Sequence, residues 1–203
     1  MKNNQTFIFI GRSGCGKGTQ ADLLEAYLKE NDTEKRDVHH VITGNFLREI
    51  AKGNSLTSDI VRDALGKGLL IPEFLPISLW GKFFVDNLKG HEHVITDGMP
   101  RKLQEAMLLD GAFKFYKRDK VVVIFIDLSY DSAVKRLLLR KRADDTQESI
   151  EERLKFYDAE VSPVIDYYRN HPDYIFLQID GEPDIETINK DIMGRLNLEW
   201  ANQ

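Results

Sequence analysis

A glycine-rich segment, residues 11–20 (GRSGCGKGTQ), contains the residues of this chain best suited to chemistry. It follows a short apolar run and precedes a stretch with helical periodicity, so the pattern predicts a strand, a tight turn and a helix. Glycines at such a turn let backbone N–H groups point inward, and together with the helix N-terminus they bind anions. Lys17 adds a positive charge for the β- and γ-phosphates of a nucleotide. The spacing therefore predicts a phosphate-binding loop.

The end of this loop differs from the commonest version, in which a Ser or Thr follows the lysine directly. Here Gly18 follows the lysine, and Thr19 comes one residue later. The sequence GKGTQ resembles the adenylate kinase and nucleoside monophosphate kinase family, although Arg12 and Ser13 replace the usual proline after the first glycine. The donor-binding residues that the resemblance implies in the loop are Ser13, Gly14, Cys15, Gly16, Lys17, Gly18 and Thr19.

A second segment, residues 43–48 (TGNFLR), resembles the family's TGDxLR box, which binds the acceptor monophosphate. The resemblance implies that Thr43 lies near the acceptor base, with Gly44 in the same site, and that Arg48 binds the acceptor phosphate. Asn45 stands where the family usually has an aspartate. Kinases for UMP and CMP usually carry Ala or Ser at the position of Thr43, so the threonine favours AMP.

Two more segments complete the acceptor site that the resemblance implies. Residues 68–72 (GLLIP) resemble the family segment whose backbone passes the acceptor base, and residues 97–101 (DGMPR) resemble the family's DGFPR or DGYPR sequence. In the second segment the arginine binds the acceptor phosphate, and Met99 replaces an aromatic residue. The acceptor-site residues taken from these segments are Ile71, Gly98 and Arg101.

The metal that the resemblance implies is Mg²⁺, bound together with ATP as the co-substrate. Asp97 holds the ion through a water molecule in the family, and Thr19 carries the hydroxyl that the commonest loop places on Mg²⁺. Zinc is not expected, because the chain has a single cysteine, Cys15. Its five histidines are not spaced with acidic or cysteine ligands either.

Four residues after Arg101 the family usually has a glutamine that hydrogen-bonds the acceptor base. Glu105 occupies that position, with Gln104 beside it, and we assign both to the acceptor site. A carboxylate only accepts hydrogen bonds, whereas an amide both donates and accepts. Either Gln104 contacts the base after a small shift of the helix, or base recognition differs. We expect AMP as the acceptor and keep UMP, CMP or another small acceptor as the alternative.

Arginines cluster after the fourth predicted strand, and arginine suits phosphate because its planar group binds two oxygens and stays charged. By the resemblance, Arg136 stacks near the donor base and Arg140 also contacts the donor, while Arg142 and Arg153 belong to the acceptor site as well. The family inserts a loop or a lid domain between residues that resemble Arg140 and Arg142, yet only Lys141 separates them here. We therefore expect essentially no lid near residues 140–142. The expected catalytic residues are Lys17, Arg101, Arg140, Arg142 and Arg153.

Alternating strands and helices must bring these segments together, because the carboxyl ends of parallel strands meet at one edge of a sheet. The expected fold is α/β, a three-layer α/β/α arrangement of the P-loop NTPase type with a five-stranded parallel sheet. Residues 1–43 and 73–203 are assigned to the core domain, and residues 44–72 to a small helical insertion that binds the acceptor. The five predicted strands lie near residues 6–10, 38–42, 93–96, 120–128 and 174–179.

One long helix is predicted after the arginine cluster. Asp145 with Glu148 forms a capping box at its start, and apolar periodicity continues to about Asn170. Pro163 should bend this helix or divide it in two.

Composition limits the protein class. The chain has 203 residues, 42% hydrophobic and 30% charged, which suits one globular domain with a small insertion. Its net charge of −5 offers no electrostatic case for nucleic acid or an anionic membrane surface. No apolar run approaches the roughly 18 residues of a membrane span, and the early first strand leaves no room for a signal peptide. We expect a cytoplasmic protein that binds ATP and AMP, and the sequence supports neither a protein partner nor self-association.

Together the motifs predict reversible, Mg²⁺-dependent transfer of the γ-phosphoryl group of ATP to AMP, with catalysis by positioning and charge neutralisation. Without a lid, we expect more ATP hydrolysis or weaker donor binding than in lidded relatives. A GTPase-type switch is the first rival, because Asp63 to Gly66 fit DxxG; that sequence lies in a helical run, and no NKxD motif is present. A non-catalytic nucleotide-binding module is the second, and the matched arginines argue against it.

Overall fold

Five strands form the centre of the molecule. In the computed structural model, which describes residues 4–140, 146–196 and 198, they are β1 (Thr6–Gly11), β2 (Val38–Ile42), β3 (His93–Asp97), β4 (Val121–Asp127) and β5 (Tyr174–Asp180). All their pairings are parallel, and the order is β2-β3-β1-β4-β5. Both Phe9 of β1 and Ile42 of β2 pair with Asp97 of β3, so the carboxyl ends of these three strands lie side by side.

Helices connect the strands, and none within the described residues is long and apolar enough to cross a membrane. A π-helical segment, Tyr157–Val161, lies between the seventh and eighth helices. The α-helices are α1 (Lys17–Asn31), α2 (Thr43–Ala51), α3 (Leu56–Gly66), α4 (Phe74–Asn87), α5 (Leu103–Phe115), α6 (Tyr130–Arg140), α7 (Gln147–Phe156), α8 (Ser162–Arg169) and α9 (Ile185–Leu196).

The strand β1 contributes to two hydrophobic cores, one on each face of the sheet. Successive side chains of a strand point to opposite faces, so Phe7 and Phe9 pack in the core that contains Leu24 of α1. Ile8 and Ile10 pack in the other core, with α4, α5 and α8. Helices cover both faces, which confirms the predicted α/β fold and its parallel sheet.

A third, smaller core lies apart from the sheet. Leu47 of α2, Val61 of α3 and Ile71 after it are buried against one another, and the first half of α4 packs on them. This cluster falls within the predicted insertion, residues 44–72, whose separation as a domain stays a prediction.

The predicted long helix is interrupted, and it is capped one residue later than expected. The N-cap of α7 is Thr146, which accepts a hydrogen bond from the Ser149 backbone N–H at 3.2 Å, while the predicted cap, Asp145, lies outside the described residues. The helix changes to the π-helical segment after Phe156 and returns to an α-helix at Ser162. Pro163, the second residue of α8, lies two residues after this segment; it has no N–H to donate to the preceding turn, and its ring crowds the carbonyl four residues earlier. The long helix is therefore divided next to Pro163, as predicted.

Candidate active site

A cavity of about 400 Å³ opens where β1, β2 and β3 end. Its walls come from the glycine-rich loop, the start of α2, the segment after β3, and helices α6 and α7. Topology alone brings these segments together, because they are far apart along the chain. The predicted site residues that line the cavity are Ser13, Gly14, Gly16, Lys17, Gly18, Thr19, Gly44, Arg48, Asp97, Gly98, Arg101, Arg136, Arg140 and Arg153.

The loop has the geometry of an anion site. Gly14 and Gly16 have φ values of 87° and 90°, which side chains rarely adopt, and a Cβ on Gly14 would also lie 3.0 Å from Ala133 O. Gly16 is the N-cap of α1 and offers no side-chain cap to the first N–H groups of that helix. These N–H groups are therefore available to a phosphate. Lys17 extends back over the loop, where its Nζ donates to Arg12 O at 3.3 Å.

The carboxylate of Asp97 lies against the start of α1. A Cβ atom placed on Gly18 would be 3.2 Å from Asp97 Oδ2, which is tighter than an ordinary contact. Asp97 thus approaches the position where the commonest loop has its Ser or Thr, and this explains why a glycine follows Lys17. Asp97 and Thr19 both line the cavity and present oxygen atoms, the ligands that Mg²⁺ prefers, so these residues fit the expected ion.

Three arginines converge on the cavity. Burial lowers the pKa of Arg101; the charges of Glu105 and Asp97 oppose this effect, and the nearby positive charges of Arg153 and Arg48 add to it. Like charges in a poorly solvated place repel one another, so an anion that binds among them is favoured. The arrangement is suited to a phosphate group.

Each of these arginines is held by a local hydrogen bond. Arg48 donates to Asn45 Oδ1 at 2.7 Å, and Arg101 Nε donates to Gly98 O at 2.9 Å. Arg153 donates to the backbone and side-chain oxygens of Ser149 at 3.0 and 3.2 Å. Because Asn45 is neutral, it orients Arg48 and leaves its positive charge in place. The family's usual aspartate would offset that charge.

Glu105 and Gln104 point in different directions. Gln104 is exposed, whereas Glu105 is buried and accepts hydrogen bonds from the Arg101 backbone N–H at 2.7 Å and from Trp80 Nε1 at 3.3 Å. Burial raises the pKa of Glu105, and the Arg101 N–H and guanidinium oppose that rise. Neither residue lines the cavity, so their predicted contact with the base stays a prediction, while Glu105 holds the segment that carries Arg101.

Three other predicted residues, Thr43, Ile71 and Cys15, are described by the structure but do not line the cavity. Thr43 is buried as the first residue of α2, and its hydroxyl has no hydrogen-bond partner among the described residues. Ile71 belongs to the small core below α3. Cys15 is fully buried inside the loop, with its Sγ 4.0 Å from Lys17 Nζ. Arg142 lies outside the described residues.

Sequence reasoning missed a second concavity beside the loop, on the far side of Arg136. It is formed with Pro183 and Asp184 of the turn after β5 and with Ile185 at the start of α9. Arg136 donates to Glu182 O at 3.0 Å and to Pro183 O at 3.3 Å, so the arginine and the turn are joined. The GEP sequence at 181–183, directly after a strand, was the available signal, since ligands gather at strand ends.

The wall formed by α7 and the π-helical segment is not apparent from the sequence. Phe156, Tyr157 and Val161 line the cavity beside Arg153. They read as ordinary apolar core positions in the sequence, and no local pattern distinguishes them from the buried residues around them.

Comparison with known proteins identifies similar chains of nearly the same length. The family model described as adenylate kinase matches residues 9–172. The chain is similar to an adenylate kinase of Prochlorococcus marinus (strain MIT 9515), with 33% identity over 189 residues, 93% of this chain and 97% of the relative. It is also similar to an adenylate kinase of Bacteroides thetaiotaomicron, with 31% identity over 189 residues, 91% of this chain and 94% of the relative.

Proposed function

This chain belongs to the adenylate kinase family, and we propose that it transfers the γ-phosphoryl group of ATP reversibly to AMP, giving two molecules of ADP. The observation that carries the proposal is that Arg48, Arg101 and Arg153 line the same cavity as Lys17 and the phosphate-binding loop. A protein that only binds a nucleotide needs the loop and its lysine. A kinase must also bind the phosphate of the acceptor, and a second set of cations in the same cavity meets that requirement.

The donor phosphates bind on the loop and the N-terminus of α1, with Lys17 at the β- and γ-phosphates. The donor nucleoside extends past Arg136, towards the turn that includes Pro183. The hydrogen bonds from Arg136 to this turn support the assignment, because they hold the guanidinium beside the second concavity. Arg140, one helical turn later on α6, contacts the donor phosphates.

The acceptor phosphate binds between Arg48 and Arg101, and the acceptor base lies near Thr43 and Ile71. The buried hydroxyl of Thr43 lacks a protein partner among the described residues, which supports a hydrogen bond to a ligand. Glu105 is the better placed of the two predicted base contacts, because it lies on the buried side of α5. The relatives are named as adenylate kinases, so the pyrimidine alternative is not favoured.

Asp97 and Thr19 would hold Mg²⁺, which supplies positive charge for the β- and γ-phosphates when it is bound. Since the acceptor is already an anion, the protein needs no strong general base. Lys17, Arg101 and Arg153 neutralise charge, with Arg140 and the predicted Arg142 beside them. The main task of the protein is to hold donor and acceptor in line, because correct positioning alone contributes several kcal/mol to such reactions, about 7–11 in favourable cases.

We propose further that residues 44–72 move against the core as the acceptor binds, and that the protein has essentially no lid. Only residues 141–146 join α6 to α7, which supports a minimal connection. A cytoplasmic location, without nucleic acid or membrane as a partner, belongs to the same proposal.

The test is ADP formation from Mg-ATP with AMP, UMP, CMP and GMP in parallel. We expect the highest kcat/KM with AMP and loss of activity in Lys17→Ala. Lys29→Ala is the matched control, because Lys29 is an exposed lysine on the same helix, paired with Glu25 at 2.6 Å, and its loss should leave activity unchanged. Preference for a pyrimidine would overturn the AMP assignment. ATP binding without transfer to any acceptor would refute the proposed kinase activity and would favour a nucleotide-binding module.

A further inference from the structure

Arg12, the second residue of the phosphate-binding loop, joins three parts of the protein. Its Nε donates to Leu128 O, just after β4, at 3.3 Å, and its Nη2 donates to Asp158 Oδ1 at 3.4 Å. Its guanidinium carbon lies 4.2 Å from the ring centroid of Tyr157. Only 15% of the side chain is exposed. A phosphate-binding loop needs only backbone groups from its second residue. The three side-chain contacts of Arg12 therefore require an explanation.

The contacts of Arg12 lead to a wall of the active site. Tyr157 and Asp158 begin the π-helical segment, which continues α7 without a break, and Arg153 lies four residues before Tyr157 on that helix. Both Tyr157 and Arg153 line the cavity. Because π-helical turns inside helices are rare and often occur at functional sites, a fixed Tyr157 is a way to fix the helix that carries Arg153.

The backbone of Arg12 contacts the other wall. Its carbonyl oxygen accepts hydrogen bonds from Lys17 Nζ at 3.3 Å and from the Cys15 backbone N–H at 3.1 Å. One residue is therefore connected to Lys17 through its backbone and to the helix of Arg153 through its side chain.

Arg12 acts from behind the site rather than within it. Its two neighbours, Gly11 and Ser13, line the cavity, but Arg12 does not. Its Nε and Nη2 donate to Leu128 O and Asp158 and its face lies on the Tyr157 ring, while Nη1 is buried without a hydrogen-bond partner among the described residues. The guanidinium would have to leave these three contacts to enter the cavity.

We propose that Arg12 is a positioning residue for phosphoryl transfer, which couples the loop that carries Lys17 to the helix that carries Arg153. The inference rests on the proposed function. In-line transfer tolerates little misplacement, since a shift of about 1 Å can lower the rate about 100-fold. A side chain that keeps the two cations at a constant separation therefore affects kcat more than substrate binding.

The test is a double-mutant cycle between Arg12→Ala and Arg153→Ala, measured by steady-state ADP formation. Arg12→Ala should lower kcat by about tenfold and change each KM by less than about twofold. In the Arg153→Ala background, the same substitution should change kcat by less than about twofold, because the group that it positions is gone. Equal losses in both backgrounds, or a raised KM for ATP with unchanged kcat, would overturn the proposal.

Arg169→Ala is the matched control. Arg169, on α8, also pairs with an aspartate, Asp166 at 2.7 Å, and also packs on a ring, that of Phe176 at 5.2 Å, but it does not line the cavity. This variant should keep the kcat of the unmodified protein. Thermal unfolding of every variant establishes that it is folded under the assay conditions.

A second readout separates this proposal from the proposed function. Hydrogen exchange with and without Mg-ATP measures the coupling even if no transfer occurs. ATP should protect the amides of the loop and of residues 153–161 in the unmodified protein, and only those of the loop in Arg12→Ala. Unchanged protection of residues 153–161 in the variant would refute the coupling through Arg12. Absence of transfer to any acceptor would refute only the proposed kinase activity.

Discussion

Replacing Gly18 by alanine should stabilise the protein and impair phosphoryl transfer. Gly18 is the second residue of α1, where an added Cβ would lie 3.2 Å from Asp97 Oδ2. Ordinary contacts of this kind lie between 3.4 and 4 Å, so the carboxylate must move by a few tenths of an ångström. Asp97 is the residue that we assign to Mg²⁺.

Two magnitudes follow from this geometry. A misplacement of about 1 Å at an active site can cost about 100-fold in rate, so we expect a three- to tenfold loss of kcat, roughly, for the smaller movement. In a helix interior alanine is favoured over glycine by up to about 1 kcal/mol, and the contact with Asp97 subtracts from this gain at Gly18. The rise in Tm should therefore stay below the roughly 2–4 °C that 1 kcal/mol gives in a chain of this size.

The assay combines ADP formation across a range of Mg²⁺ concentrations with thermal unfolding. Gly111→Ala is the matched control, because Gly111 is exposed in the middle of α5 and an added Cβ would meet nothing within 4 Å. It should raise Tm and leave kcat and the Mg²⁺ dependence unchanged. A Gly18→Ala protein with unaltered kcat at every Mg²⁺ concentration would refute the reasoning.

Three further predictions concern stability, the acceptor and water. Glu92→Gln should destabilise the protein by about 3 kcal/mol, because it leaves the buried Arg118 without its carboxylate. Burial opposes ionisation of Glu92, but backbone N–H groups and Arg118 hold its pKa at about 2. The difference in unfolding free energy between the two proteins should therefore be full above pH 4.5 and shrink as the pH falls towards 2. A pH-independent difference in urea unfolding would contradict this. Asn45→Asp should raise the KM for AMP several-fold but not that for ATP, since a carboxylate beside Arg48 offsets its charge; an unchanged KM for AMP would show that the charge at position 45 does not affect acceptor binding. ATP turnover without acceptor should exceed that of a relative with a short lid loop, and an equal rate would count against the lidless assignment.

Local sequence patterns were sufficient for the frame of the site. Glycines with positive φ, the apolar strand before them and the helix after them are decided by residues that are neighbours in the chain. The order of strands and helices then predicted a parallel sheet, and a parallel sheet places its loops at one edge. The same reasoning predicted the division of the long helix next to Pro163, because a proline inside a helix removes a backbone hydrogen bond. It did not predict the contact between Tyr157, which begins the π-helical segment, and Arg12, which is distant in sequence.

The sequence by itself therefore determined the phosphate-binding loop, the alternating elements and the order in which the candidate arginines occur. Only the tertiary structure decided which of these groups meet: Asp97 against Gly18, Glu105 beneath Arg101, and Arg12 against the helix of Arg153. The physical reason is range. Backbone preference and periodicity act over a few residues, whereas contact distances and charge interactions depend on separation in space, which the packing of the whole sheet and its helices sets.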